Sequence, residues 1–455
     1  MTQACKLQRL QLASGAVWHC KVCNSFYHKE PRTPPPCPGP LGFRREVDES
    51  ELARRLRICR LCEYYHDEMC VLCPCGMQRQ LWERRLRSWT QQCPLGRWEL
   101  PPDDEQQTST RDRVYVIGYP GPVGGADTEC WHTVRLWHEK LGIRVTLVPT
   151  WHPTTWKPRC DQLGVETLVL SGPDQLATLP GIERSIAVGF CNHHFLANAA
   201  TLRRSGASLV WVSCMTWVFP DERRVWREIG LPDTMVWQSD FQRSCLLPEL
   251  QKLGQPNGYL IRGAFSVDEF PFQPAARASG GPMTVCRVAR ADADKWHQDL
   301  WRIVGSVPDV SFIGLGWRDN VQARVGPPPP WAKVYPPGAL PVQDVLRQSH
   351  VMLCLNSKAR ENWPQVALEA MASGVAVIAE RRWGWLEMIE HGVNGILVDT
   401  ADEAADWLKR LHADEPLRIR LITQAREWVE SYYTRYEVPK KWARLFSDLG
   451  LQLRL

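Results

Sequence analysis

Residues 361–380, ENWPQVALEAMASGVAVIAE, set two carboxylates, Glu361 and Glu369, eight positions apart. The first lies in a polar turn with Trp363 and Pro364, the second inside a run that reads as helix. A helix beginning at such a turn offers free N–H groups and a partial positive charge, which suit a diphosphate. Two carboxylates at this spacing can accept hydrogen bonds from the hydroxyls of a neutral polyol. A second set of chemistry-bearing residues is the cysteines: ten of the 17 precede residue 94, mostly as C-x2-C pairs, and the other seven are scattered singly. Thiolates at C-x2-C spacing bind one ion tetrahedrally, and two such pairs complete a structural zinc site.

The elements that must position Glu361 form a regular series. After Arg113 come RVYVIGY as a strand, a Gly-rich turn, TECWHTVRLWHEKLG as an amphipathic helix and IRVTLVPTW as a second strand, a βαβ unit. The alternation continues through VETLVLSG, RSIAVGF, SLVWVSC, MVWQSD and YLIRGAF. It resumes after the break FPFQPAARASGGP (270–282) with MTVCRVAR, DKWHQDLWRIVG, VSFIGLG, WAKVYPP, HVMLCLN, VAVIAE and GILVD. Short buried strands alternating with helices predict parallel sheets covered on both faces. The fold expected is α/β, with two Rossmann-like doubly wound domains at 112–270 and 282–415. A small cysteine-rich region at 1–108, divisible into two modules (1–45 and 55–98), precedes them, and closing helices follow at 416–455. Glu361, after HVMLCLN and SKAR, then falls at the carboxyl end of a parallel strand, where open α/β sheets bind ligands.

E-x7-E followed by ALEAMASGVAVIAERRWGWLEMIEHGVNGILV resembles the donor-site segment of retaining, nucleotide-sugar-dependent glycosyltransferases of the GT-B fold, the large glycosyl transferases group 1 family. The similarity runs from the first βαβ unit to the tail. It implies transfer of a sugar from a nucleotide-diphosphate sugar to an unknown acceptor with retention of configuration. Glu361 matches the residue at the transferred sugar and Glu369 the one that binds the ribose. The family places glycines where this chain has Asn362 and Pro364. Pro364 has no N–H to offer, so backbone donation to the donor falls to Gln365 and Val366.

TVCRVARADADKWH is similar to the family segment in which an Arg and a Lys grip the diphosphate. Lys295 is the match for the Lys, while Arg287 and Arg290 compete for the Arg. Fixed cations there stabilise negative charge as it develops on the leaving group. Asp292 and Asp294 form a D-x-D, but Asp294 directly before KWHQDLWRIV reads as a helix N-cap, and no catalytic metal is expected. GYPGPVGGADTE, with Gly124 and Gly125, resembles the family loop that faces the donor phosphates, although Asp127 stands where Glu is commoner. Asn192, His193 and His194 follow the strand RSIAVGF and are acceptor-side candidates, with helix capping or core packing as the plainer reading.

In the front region Cys59, Cys62, Cys73 and Cys93 are the chosen zinc ligands of the second cluster, with Cys70 and Cys75 as alternates. Cys20, Cys23 and Cys37 need a fourth partner, Cys5 or His28. Structural zinc can replace the apolar core this region lacks, and an iron–sulfur cluster is the minority alternative. The arginines of ELARRLRICR and LWERRLRSW are interleaved with acids, so a protein docking partner fits as well as nucleic acid. The net charge of +5 on 455 residues requires neither nucleic acid nor an anionic membrane. No run of about 18 apolar residues and no signal-peptide core occurs, so a cytoplasmic location with no transmembrane segment is expected. Two rival readings remain. One is a non-catalytic zinc-containing module that binds nucleic acid or protein on a degenerate transferase fold. The other is a phosphorylase or epimerase working without a separate acceptor.

Overall fold

The computed structural model describes residues 7–12, 15–20, 26–27, 49–60, 65–66, 69–70, 111–118, 121, 124–151, 154–276 and 281–451. Two compact units divide the chain, Met1–Thr108 and Ser109–Leu455. In the first unit, β1 (Leu7–Leu12), β2 (Gly15–Cys20) and β3 (Phe26–Tyr27) make an antiparallel sheet. The helix Glu49–Arg60 follows and buries Leu52, Arg55 and Cys59 along one stripe. A two-stranded ladder of β4 (Tyr65–His66) and β5 (Met69–Cys70) comes next.

The second unit holds two sheets. β6 (Arg113–Ile117), β7 (Val145–Val148), β8 (Glu166–Thr167), β9 (Ser185–Phe190), β10 (Ser208–Val212), β11 (Thr234–Trp237) and β12 (Gly258–Leu260) pair in parallel in the order β12-β11-β10-β9-β6-β7-β8. β13 (Met283–Val288), β14 (Val310–Leu315), β15 (Ala332–Tyr335), β16 (Val351–Cys354), β17 (Ala376–Glu380) and β18 (Ile396–Val398) pair in parallel in the order β15-β14-β13-β16-β17-β18. The central strands are buried on both faces, which is why they read as apolar runs without alternation. Strand order reverses between β6 and β9 in the first sheet and between β13 and β16 in the second. At such switch points the connecting loops diverge and leave a crevice at the carboxyl edge.

Two local expectations change. VETLVLSG contributes only Glu166–Thr167 to the ladder. As an edge strand it has a partner on one side alone, and past Thr167 its amides reach Leu147 and Thr150 singly. The helix expected from residue 295 starts instead at Leu300, and Asp294 caps nothing. Its carbonyl accepts from the amides of Ser357, Lys358 and Ala359 at 2.9, 3.2 and 3.3 Å, which ties residues 293–295 into a 3-10 turn against the loop after β16.

The two sheets of this unit share one apolar cluster. It runs from Val114 and Trp137 through Phe265 and Phe270 to Met352, Leu368 and Met371. The tail helix Val438–Asp448 returns to the first sheet domain, where Trp442 and Phe446 meet the fully buried Trp137 edge-on at 4.8 and 5.0 Å. Such aromatic pairs add about 0.5–1.5 kcal/mol each beyond the area they bury. The tail therefore joins the halves it follows.

Candidate active site

At the switch point of the second sheet, the loops after β13 and β16 bring four polar side chains together. Lys295 Nζ donates to Glu361 Oε1 at 2.8 Å, and Asn356 Nδ2 donates to the same oxygen at 3.0 Å. Arg287, at the end of β13 and 3% exposed, donates to Asn356 Oδ1 at 2.6 Å and to the Lys295 carbonyl at 2.8 Å. Each link is charge-assisted or buried, so the cluster is rigid. Burial alone would raise the pKa of Glu361. The charge and hydrogen bond of Lys295, then Arg287 and Asn356, outweigh it and hold the carboxyl below its ordinary value. Glu361 is thus ionised at neutral pH, and among the described residues its Oε2 takes no hydrogen bond. That oxygen is available to a ligand hydroxyl.

The competition for the arginine role separates two tasks. Arg287 is turned inward and orients Asn356, whereas Arg290 is about half exposed and ion-pairs with Asp292 at 3.2 Å. Asn356 went unnoticed in the sequence, although an Asn directly after a buried strand at a carboxyl edge is a usable signal.

Glu369 lies in the helix Gln365–Ser373, 7% exposed, with no hydrogen bond or ion pair among the described residues. Burial, with a smaller push from Glu269, raises its pKa to about 7. No hydrogen bond links it to the Lys295–Glu361 pair. Gln365 opens the same helix one turn earlier, and both polar atoms of its side chain are buried without a partner. The amides of Gln365 and Val366 stand in the first turn, where a helix has no internal acceptors.

The turn 361–363 is gripped on three sides. Glu361 faces the cluster above. Asn362 is 6% exposed and crosses to the first sheet domain: its Nδ2 donates to Gln238 Oε1, and its Oδ1 accepts from the Ser239 hydroxyl. Trp363 Nε1 donates to Tyr432 at 2.7 Å, and Arg262 stacks over its ring at 4.6 Å. Gly384 closes on this turn, its N–H donating to the Glu361 carbonyl at 3.0 Å. A Cβ there would stand 1.6 Å from the Asn362 carbonyl oxygen, so only glycine fits.

In the first sheet domain Gly124 precedes the helix Gly125–Leu141 with φ 156°, and a Cβ on it would come within 2.9 Å of Asp127. Asp127 folds back over this loop and accepts from the Gly121 N–H at 2.8 Å; burial raises its pKa to about 6, partly offset by that bond. Asn192 caps the helix His193–Arg204 by accepting from the His194 N–H at 2.9 Å. His193 is 3.5 Å from Asp221 and largely exposed, and the His194 ring meets Trp151 edge-on at 5.7 Å. Glu129, one turn into its helix, is buried and accepts from Gln238; burial raises its pKa to about 8 despite that bond.

Of the expected metal ligands, Cys59 is buried on its helix, and Cys20 and Cys70 lie in strands. Cys5, Cys23, His28, Cys37, Cys62, Cys73, Cys75 and Cys93 lie outside the described residues. Among the described residues no three metal-binding side chains converge. No helix among them is long and apolar enough to cross a membrane.

Residues 279–428 match the family described as "Glycosyl transferases group 1". The second sheet domain is a group 1 glycosyltransferase domain. A 110-residue stretch of the chain, 24% of its length, is 34% identical to N-acetyl-alpha-D-glucosaminyl L-malate synthase of Bacillus anthracis, and the match spans 28% of that relative. A 140-residue stretch is 27% identical to the putative glycosyltransferase YtcC of Bacillus subtilis (strain 168), and that match covers 30% of this chain and 32% of the other. The chain thus spans under a third of the length of either relative. Among solved structures, Alr3699/HepE of Anabaena in complex with UDP-glucose superposes with a TM-score of 0.59 at 14% identity, covering 74% of this chain and 99% of that one. Sucrose-phosphate synthase from Thermosynechococcus elongatus gives 0.58 at 16%, with the same coverage of both. The group 1 domain and the sheet domain before it therefore make a GT-B-like pair.

Proposed function

We propose that this protein transfers a sugar from a nucleotide-diphosphate sugar to an acceptor, with retention of configuration. The observation that carries the reading is the Lys295–Glu361 pair, held by Asn356 and Arg287 at the switch point of the group 1 domain. The chain's likeness to a protein crystallised with UDP-glucose supports a donor of that class.

In this reaction the bond from the sugar's anomeric carbon to the diphosphate oxygen breaks, and its electron pair goes to that oxygen. Lys295, with Arg290 free to swing from Asp292, stabilises the charge as it develops. The acceptor hydroxyl attacks the same face, and its proton passes to the departing phosphate. No enzyme nucleophile or catalytic metal is needed. Glu361, ionised and fixed, accepts from a hydroxyl of the transferred sugar through Oε2. Glu369 and the amides of Gln365 and Val366 serve the nucleotide, and Gly124 and Gly125 let the opposite loop approach the phosphates. Asn192, His193 and His194 border the acceptor side. The front unit would be held by structural zinc on its cysteines, and the protein would work in the cytoplasm.

The test is nucleotide release from a panel of nucleotide-diphosphate sugars by the full chain and by Glu361→Ala, with the product anomer assigned by NMR. Release that depends on Glu361 and gives a retained anomer is expected. Release unchanged by the substitution, or none with any donor, would overturn the reading.

A further inference from the structure

Asn362 occupies a place where the family resemblance puts glycine, and its side chain has a defined task. It is buried, and both of its polar atoms cross to residues more than a hundred positions earlier in the chain. Gln238, which receives its N–H, lies just past the carboxyl end of β11 and donates onward to Glu129. Ser239, which donates to it, is the N-cap of the helix Asp240–Leu250 and accepts from the Gln242 N–H at 2.9 Å. A second side chain from the same half makes a parallel link. Glu387, three residues past Gly384, accepts from the Asp240 and Phe241 amides at 3.0 and 2.8 Å and pairs with Arg262 at 2.7 Å. The start of one helix in the first sheet domain is thus capped by its own Ser239, which is bonded to Asn362, and by Glu387 of the second.

We propose that Asn362 is a positioning residue. Through Gln238 and Ser239 it locks the turn carrying Glu361 to the carboxyl edge of the first sheet, so that the Lys295–Glu361 pair is held in register with the acceptor-side domain. This deepens the function proposed above and rests on it for its catalytic consequence, although the coupling itself is a property of the fold. Glycine at 362 would leave Glu361 its local partners Lys295 and Asn356, and would leave the Arg262 stack on Trp363, yet would remove the turn's own hydrogen bonds to the opposite sheet. Buried hydrogen bonds are costly to leave unmade, so the loss is read at both ends of the link.

Hydrogen exchange on the full chain tests the coupling without a substrate. Asn362→Gly is expected to speed exchange of residues 239–243 about tenfold, and that of Gly384 with it, while β13 and β14 keep wild-type protection. Gln238→Ala, on the other side, is expected to loosen residues 361–366 and 384 reciprocally. It also keeps the question open to a decision if Asn362→Gly fails to fold. Wild-type exchange in the opposite half for either folded variant would overturn the proposal, as would acceleration spread evenly over both sheets. In nucleotide release, Asn362→Gly is expected to lower kcat about tenfold with donor KM within about twofold, since the donor's own contacts survive. A rise in KM with kcat intact would refute the positioning role. Absence of turnover in the wild type would sink the transferase reading and leave the exchange result standing.

Discussion

Replacing Lys295 by methionine keeps most of the side chain's length and removes its charge. The pair it breaks is 2.8 Å long, with side chains 15% and 12% exposed. At an effective dielectric near 20, charges at that distance attract by roughly 6 kcal/mol before desolvation is subtracted. Removing one partner of a buried pair costs about 3–5 kcal/mol. Residual exposure and the survival of Asn356 and Arg287 place the expectation at the lower end, about 3 kcal/mol at pH 7.5. The pH dependence has a definite sign. In the wild type Glu361 is held below its ordinary value of 4.5, so its stabilisation is present above that value and is lost as the pH falls through the folded one. In Lys295→Met burial is no longer opposed by the ammonium, the folded carboxyl moves upward, and acid relieves the penalty by neutralising it. The deficit should therefore shrink to about 1 kcal/mol at pH 4.5. Differential scanning calorimetry of the full chain reads this as a fall of about 4 °C in the transition of the unit Ser109–Leu455 at pH 7.5, and about a third of that at pH 4.5. A fall under about 2 °C at pH 7.5, or equal falls at both pH values, would refute the reasoning.

Lys295→Ala should lower nucleotide release by about 10²–10³-fold, the usual effect of losing one group aimed at developing charge, and Glu361→Ala, which leaves the transferred sugar and Lys295 unfixed, by about as much; a loss under about threefold in either would argue that the residue removed does not act on the reacting sugar phosphate. Glu369 is protonated up to about pH 7 because it is buried, so the wild type loses stability as pH rises from 4.5 towards 7. Glu369→Gln should remove that slope and gain about 2–3 kcal/mol at pH 8, while weakening nucleotide binding measured by calorimetry. Ribose hydroxyls donating to Glu369 would favour its charged form, so binding near pH 6.5 should release protons, seen as a dependence of binding heat on buffer ionisation. Native mass spectrometry of the full chain should count bound zinc, and chelation should unfold residues 1–108 while leaving hydrogen exchange in β13–β18 unchanged.

The positions of the parallel strands were legible because strands buried on both faces leave unbroken apolar runs such as RSIAVGF and HVMLCLN. The edge strand β8 was not, since one partner supports only two ladder residues of VETLVLSG. The carboxylate turn and Lys295 could be placed from spacing and family resemblance, because both follow strands that flank the switch point. Asn356 left only its place after a buried strand as a signal, and the Gln238–Asn362 link left none. An amide carries no spacing rule, and its role exists only once two strands, or two domains, are side by side. Asp294 misled for a related reason: its side chain looks like a cap, but its main-chain carbonyl is engaged by a loop more than sixty residues later.

The return of the tail to Trp137 has a consequence for how the chain matures on the ribosome. Trp442 follows Leu260, the end of the first sheet's last strand, by 182 positions (442 − 260), on the order of 9–36 s of synthesis at roughly 5–20 residues per second. For that interval the first sheet domain presents an uncovered indole patch to the cell, and helper proteins that shield nascent chains would be the natural occupants of it until residues 438–448 arrive.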